Sequence, residues 1–547
     1  MIKNKFYLPT ILFIFFTLGF LIYKDYGFNI DEKFHRSSGF YWLIYLSDFF
    51  GLDQLKSLAE SKFNNIEGFT LSPVEHFNKY GIIFDVPAAL LEILFKFEKP
   101  LEYYRLRHFL VFIFHFVGAI FFYLLLQNRF KDENISIIGL IFLILTPRLF
   151  GDSFQNSKDI IFLSLYSISL FYYFNVLDNR KYLYIILFAL FSALTTTIRI
   201  VAFFLPISFI FIYLIDFFSK SKRASIKTVV LYLFLYFVFL FIFWPLLWEN
   251  TIQNFLSYFK ILDDYFNSKV LFLGDYYYSN NLPYYYLIFW IYVSTPIFHL
   301  IFFSLGFTHY TYRLIKRFFN IKRAAPYNDL WRSVAENKDF LIFLNLTIFF
   351  LFFSYMNIKL YNSWRIAYFL YLFIIYFAVY IIYVLNLILK KKDFKLKNKI
   401  KFILIMFFIL YSSYRIYLYH PYQSYYFNLF TTNKIKNSLE VDYTGLSGYS
   451  FLKSIAQKEK NKDQLKIGTA SWYPLWRMTD LLEKDDKNRI KILSNDDRYK
   501  SDYIYSNRIS DVDKKIDKKY NIPVNFKKVK EFIIDGAIIY EVYKKTE

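Results

Sequence analysis

Apolar residues in this chain come in long unbroken runs rather than in the one-sided stripes of a soluble helix. "YLPTILFIFFTLGFLIY" (7–23) and "TVVLYLFLYFVFLFIFWPLL" (228–247) are of this kind. A run of about 20 apolar residues is the length needed to cross the hydrocarbon core of a bilayer as a helix. Repeated along the chain, the pattern predicts about eleven spans, near 7–23, 107–126, 136–150, 159–177, 182–198, 200–217, 228–247, 284–307, 339–356, 366–389 and 401–418. The fold class is therefore an all-α polytopic membrane protein. Past residue 418 the runs stop. Short β-rich pieces follow, "LKIGTA", "RIKILS" and "SDYIYS", and then "VKEFIIDGAIIYEVYKK", where Asp535-Gly536 between two β-rich runs is a hairpin signal. The reading divides the chain into a membrane domain over 1–418, with a long first outer loop at 24–106, and a small α/β domain over 419–547.

Composition sharpens this picture in three ways. Hydrophobic residues make up 56% of the 547 residues and the mean hydropathy is +0.28, which excludes an ordinary soluble enzyme. The net charge of +22 would suggest nucleic acid in a soluble chain. Here Lys and Arg crowd into alternate connections, "QNRFKDEN", "DNRK", "SKSKRASIK", "YRLIKRFFNIKRAAPYNDLWR" and "KKKDFKLKNKIK", so these and the N-terminal "MIKNK" are placed in the cytoplasm. An odd number of spans then sends the C-terminal domain outside. The first span is read as an uncleaved anchor, since no small-residue cleavage site follows it. Cysteine is absent, which excludes disulfides and thiolate metal sites. No phosphate-binding glycine loop or Walker pattern occurs, so nothing points to an ATP-driven machine.

Charged residues recur in the outer connections, where a membrane protein has least use for them. The first holds "NIDEKFH", with Asp31, Glu32 and His35, and later "YGIIFDVPAALLEILFKFEKP", an apolar stretch interrupted by Asp85 and Glu92 that is expected to lie as an amphipathic helix in the interface. The next, "TPRLFGDSFQNSKDIIF", packs Arg148, Asp152, Asn156, Lys158 and Asp159 between two spans. "NIKLYNSWRIAYF" brings Lys359 and Arg365 to the mouth of another. Any one of these taken alone reads as an interfacial charge reaching for water. Acids and bases converging on one face ask for a chemical reason. A carboxylate can take a proton from an acceptor hydroxyl, and Arg or Lys can neutralise a phosphate leaving group. A lipid-phosphate-linked sugar carries its phosphate at this depth.

These segments, in this order, resemble the GT-C superfamily of integral-membrane glycosyltransferases, in the branch of glycosyltransferase family 39 that includes protein O-mannosyltransferases and the aminoarabinose transferase of lipid A. The residues carrying the resemblance are Asp31-Glu32 after the first span, "TPRLFGDSFQNSKD", "WPLLWEN", "YNSWRIAYFLY", and "HPYQSYYFN" followed by "EVDYTGLSG". The resemblance implies a GT-C type fold and inverting transfer of a sugar from a polyprenyl-phosphate donor to a glycolipid, polysaccharide or protein acceptor outside the cytoplasm. Its setting would be the bacterial inner membrane. Asp31 matches the first-loop aspartate proposed as base, and Glu32 is the neighbour that orients it. Asp152 and Asp159 share the second acidic segment, and the choice between them stays open. Arg365, Lys158, Arg148 and Asn156 are the candidates for the donor phosphate. The sequence identifies no cofactor; a divalent metal shared by His35 and Asp31 is left open, without a spaced third ligand. The tail lacks the β-trefoil module of the eukaryotic mannosyltransferases. A transporter or flippase, or a non-catalytic envelope assembly protein, is the alternative class.

Overall fold

The computed structural model describes residues 6–66, 80–218, 225–264, 267–319, 330–356, 358–391 and 397–546. Parts of the basic connections, 219–224, 320–329 and 392–396, and the N-terminal residues 1–5, lie outside the described residues. So does 67–79 of the first long loop.

Among the described residues, six helices are long and apolar enough to cross a membrane: Pro100–Phe130, Asp159–Asp178, Ile200–Phe218, Ile226–Phe243, Val334–Tyr355 and Leu370–Lys390. A bent pair, Glu133–Ile144 and Pro147–Gln155, forms a seventh if taken as one span, and three shorter apolar helices, Tyr7–Ile22, Tyr182–Ile198 and Ile403–Tyr419, accompany them. Among the described residues the count of eleven full spans is not confirmed: three of the expected spans are these shorter helices, and proline breaks two more. Pro147 lacks the amide that would continue the ladder, and the chain turns by 62° there. Pro296 separates Tyr286–Ser294 from Ile297–Phe319 in the same way.

Two helices form the centre. Asp159–Asp178 is mostly buried, and from Ala367 to Val379 every hydrophobic residue is almost wholly enclosed. Close packing around them relies on missing side chains. A Cβ on Gly306 would lie 2.0 Å from the Phe377 carbonyl oxygen, so the helix Ile297–Phe319 can meet Leu370–Lys391 at that depth only through glycine.

Charges gather at two levels. At one, Arg107 pairs with Asp85. At the other, Arg129 holds Asp339 at 2.6 Å, Tyr376 donates to the same carboxylate, and Lys338 pairs with Asp178. Arg107 and Arg129 stand on one continuous helix, so at 1.5 Å per residue the levels are roughly 33 Å apart, close to the hydrocarbon thickness of about 30 Å. This is an integral membrane protein with an apolar belt between two ionic rims.

The stretch expected as an interfacial helix forms a helix, and its two acids turn toward the protein. Helix Asp85–Leu94 buries Asp85, Ala88, Ala89 and Glu92 and exposes Leu94 and Phe95. The reason is pairing: Arg36, on helix Glu32–Phe49, grips Glu92 in a bidentate bridge at 2.6–3.2 Å. Buried charges of this kind persist only with such partners.

Past the membrane helices, the chain builds a small sheet. After the hairpin β1 (Lys269–Phe272) and β2 (Asp275–Tyr278), the strands are β3 (Leu465–Thr469), β4 (Ile490–Ile492), β5 (Tyr503–Ser506), β6 (Phe526–Ile534) and β7 (Ala537–Lys545). The five C-terminal strands are ordered β4-β3-β5-β7-β6, parallel among β4, β3 and β5 and antiparallel beyond. Asp535 and Gly536, at φ of 49° and 77°, make the expected turn between β6 and β7. Both central residues of a two-residue hairpin turn need positive φ, which is why this dipeptide sits there.

Candidate functional site

Asp31 is presented by a local turn. Asn29 accepts the Asp31 amide on its side-chain oxygen at 3.0 Å, while its own amide donates to Glu32 Oε2 at 2.8 Å. The Asn29 side chain thus closes a turn on the amide two residues ahead, and Glu32 closes it from the other side. It starts helix Glu32–Phe49 and leaves the Asp31 carboxylate projecting, 40% exposed, while Glu32 turns inward to lie 2.9 Å from His108 Nε2.

The second acidic segment is not the open loop expected. The turn at Pro147 folds helix Pro147–Gln155 into the protein with every residue buried. Asn156, just past it, orients the start of helix Asp159–Asp178: its oxygen accepts the Asp159 amide at 3.0 Å, and its nitrogen donates to Asp152 Oδ2 at 3.1 Å and Asp159 Oδ2 at 2.9 Å. Asp159 also pairs with Arg199, at the end of helix Tyr182–Ile198. Lys158 reaches Asp85 Oδ2 at 2.8 Å.

Arg365 completes the cluster. Two consecutive residues before it, Asn362 and Ser363, have φ of 54° and 62°. Left-handed backbone at such residues costs about 1–3 kcal/mol each and persists only when its surroundings enforce it. Arg148 donates to Ser363 Oγ at 3.2 Å and Tyr286 to the Ser363 carbonyl at 3.2 Å, and Trp364 Nε1 is tied to Ser294. Arg365 leaves this turn with Nη1 2.7 Å from Asp31 Oδ2. The candidate base and the candidate phosphate ligand are thus in direct contact.

Asp31, His35, Asn156, Lys158, Asp159, Arg199 and Arg365 line one cavity of about 120 Å³. Its wall carries three cations, Lys158, Arg199 and Arg365, against the carboxylates of Asp31 and Asp159. Two donors in that wall, Nε of Arg365 and Nε of Arg199, are buried without a protein acceptor. A buried polar hydrogen without a partner is uncommon and costly. Burial, reinforced by the surrounding Lys158, Arg107, Arg365 and Arg199, pushes the His35 imidazole well below its usual pKa, so it stays neutral. Among the described residues no group of three or more His, Asp or Glu is placed to hold a metal ion.

The remaining candidates lie elsewhere. Glu32 and Asp152 do not line the cavity; Asp152 stands behind it, one hydrogen bond away through Asn156. Arg148 is also outside it, enclosed between the rings of Trp290 and Phe427 and donating to the Tyr426 carbonyl at 3.0 Å. Its nearest service to the site is to hold the turn that aims Arg365. Sequence reading missed Arg199, for which a lone arginine ending the span "SALTTTIRI" was the signal. It noted Asp85 only as a break in an apolar stretch, because the partners Arg107 and Lys158 that draw it to the site are distant in the chain.

The family model for dolichyl-phosphate-mannose-protein mannosyltransferase matches residues 105–248 of this chain. No curated protein matches it by sequence. In fold it is similar to the oligosaccharyltransferase of Archaeoglobus fulgidus in the apo form, with a TM-score of 0.52 and 11% identity over 89% of this chain and 64% of that one. The chain thus spans under two thirds of that protein's length. It also aligns with ArnT from Cupriavidus metallidurans bound to undecaprenyl phosphate, at a TM-score of 0.47 and 9% identity over 98% of both chains. The chain has the GT-C fold, and together with the family match that fold supports a glycosyltransferase of the GT-C type.

Proposed function

We propose that this protein is an inverting glycosyltransferase that moves a sugar from a polyprenyl-phosphate donor to an acceptor hydroxyl on the extracytoplasmic side of a bacterial inner membrane. The observation that carries the reading is the cationic wall of Lys158, Arg199 and Arg365 beside the carboxylate of Asp31 in one cavity. A phosphate entering that cavity meets these cations. Charge-assisted bonds from Arg and Lys then stabilise the phosphate as it departs carrying the bonding electron pair.

In this scheme the donor phosphate competes for Arg365 and frees Asp31 from its ion pair. Asp31 accepts the proton of the acceptor hydroxyl as that oxygen attacks the anomeric carbon from the face opposite the phosphate. One base and several cations suffice, because a glycosyl phosphate leaves as a stable anion. Asp159, which lines the cavity and orients Arg199, serves as the second acid; Asp152 acts through Asn156. Glu32 fixes the turn that presents Asp31. The membrane-embedded part up to about residue 418 holds the chemistry, with the sheet-bearing part after it on the same side as the site.

Asp31→Asn tests the scheme. The amide keeps the shape of the side chain but cannot take the proton, and loss of a general base costs about a hundredfold to ten-thousandfold in rate. Wild-type turnover by the purified Asp31→Asn protein, supplied with polyprenyl-phosphate sugars, would reject the assignment.

A further inference from the structure

The segment that presents Asp31 is gripped from the C-terminal part of the chain. The Ile30 amide donates to the Thr444 carbonyl at 3.0 Å, and Arg477 Nη1 donates to the Ile30 carbonyl at 3.0 Å. Both backbone groups of the residue next to Asp31 are thus taken by residues more than four hundred positions away. Close by, a Cβ on Gly27 would lie 2.8 Å from the Leu446 carbonyl oxygen, so the two backbones run nearly in contact.

The gripping loop is itself held rigidly. Asp442 is fully buried and accepts from Ser447 Oγ at 2.6 Å, Asn507 Nδ2 at 3.2 Å, Tyr505 at 3.3 Å and Tyr425. Tyr425 also bonds Thr444 Oγ1 at 2.7 Å. Gly445 takes φ of +76°, where any side chain would strike the Tyr473 ring, so the loop turns sharply back at that point. Tyr505 belongs to β5, and the chain of contacts therefore runs from the sheet through Asp442 to the 443–446 loop, then to Ile30 and Asp31.

We propose that Arg477 is a positioning residue for Asp31: with the Thr444 carbonyl it fixes Ile30 from both sides and so sets where the Asp31 carboxylate stands relative to Arg365. This rests on the proposed role of Asp31. The sheet-bearing part is accordingly a component of the site, and its motif "EVDYTGLSG" serves to hold the base in register. A misplacement of about 1 Å at a reacting group costs up to about a hundredfold in rate, which is the sensitivity the clamp guards against.

The test uses the full chain in detergent, with Arg477→Ala and Arg477→Lys. The donor probe is the polyprenyl-phosphate lipid fraction extracted from cells lacking the protein. Arg477→Ala is expected to lower kcat about tenfold to a hundredfold with the donor KM within about twofold of wild type, since the phosphate contacts are untouched. Arg477→Lys, which still offers a cationic donor, should recover most of the loss. Hydrogen exchange should rise in peptides covering residues 27–31 and stay unchanged in β3 and β5. An unchanged kcat in Arg477→Ala, while Asp31→Asn is inactive, would overturn the positioning role alone. Full activity in Asp31→Asn would instead reject the role of Asp31, and exchange at residues 27–31 then decides whether the clamp exists. Loss of protection across β3 and β5 in Arg477→Ala, without recovery in Arg477→Lys, would likewise overturn it and make Arg477 a fold-maintaining residue.

Discussion

Replacing Arg365 by Lys separates a phosphate ligand from a membrane anchor. The Arg365 side chain is only 7% exposed, and one of its nitrogens pairs with Asp31 at 2.7 Å while another, Nε, has no protein acceptor. Arginine can therefore serve two acceptors at once from one planar group. Lysine brings a single ammonium, which can stay with Asp31 or meet the phosphate without reproducing the fork. The loss is one charge-assisted hydrogen bond in a buried setting, about 1.5–3 kcal/mol. At 1.4 kcal/mol per decade this becomes about a tenfold to hundredfold rise in the donor concentration needed for half-maximal rate, with lower turnover. The assay is transfer by purified protein across a donor titration, with thermal unfolding in detergent measured alongside to exclude a folding defect. An interfacial anchor would tolerate the exchange, because both side chains reach the headgroups. Unchanged donor dependence in Arg365→Lys would refute the phosphate assignment.

Asp31→Asn should lower thermal stability by no more than about 1 kcal/mol, because a pair with one partner so exposed is well screened, whereas its activity falls by orders of magnitude; a collapse in stability matching the loss of activity would contradict this. Burial pushes the Glu440 carboxyl up to about 8, against the Leu271 amide that donates to it. The folded state therefore holds this proton more tightly than the unfolded chain, so the group's contribution is complete below about pH 4.5 and lost as pH rises through about 8. Glu440→Gln, which keeps an acceptor for Leu271, should remove that slope in unfolding measured from pH 5 to 9, and an identical slope in both proteins would refute it. For topology, single cysteines at 31, 275 and 430 in this cysteine-free chain should react with an impermeant maleimide in intact spheroplasts; protection of all three would place the site on the cytoplasmic side.

Much of the fold was legible because its largest energetic term is written locally. Apolar runs mark helices that face lipid or a packed bundle, and Asp535-Gly536 marks a hairpin through backbone geometry alone. The breaks at Pro147 and Pro296 were visible as residues but not as consequences, since proline inside a long apolar run does not say whether the helix kinks or stops. The inward turn of the two acids on helix Asp85–Leu94 depended on Arg36 and Lys158, and only the assembled fold shows that those charges have partners. The site divides in the same way. Asp31, Lys158, Asp159 and Arg365 stood out as charges beside apolar spans and meet in one cavity. Arg148 stood out equally, yet it is absorbed by Trp290, Phe427 and the Ser363 turn. Sequence finds charges near a membrane; which of them face one another is set by contacts between residues far apart in the chain.

The central claim is that Asp31 and Arg365 act on a lipid-linked sugar phosphate, and its most direct test is mass spectrometry of polyprenyl phosphates extracted from cells carrying either the wild-type protein or Asp31→Asn at equal abundance. The account predicts that one polyprenyl-phosphate sugar accumulates in the Asp31→Asn cells, as it does in cells lacking the protein, and that restoring wild type returns it to its ordinary level. Identical polyprenyl-phosphate sugar profiles in wild-type, Asp31→Asn and deletion cells would contradict it.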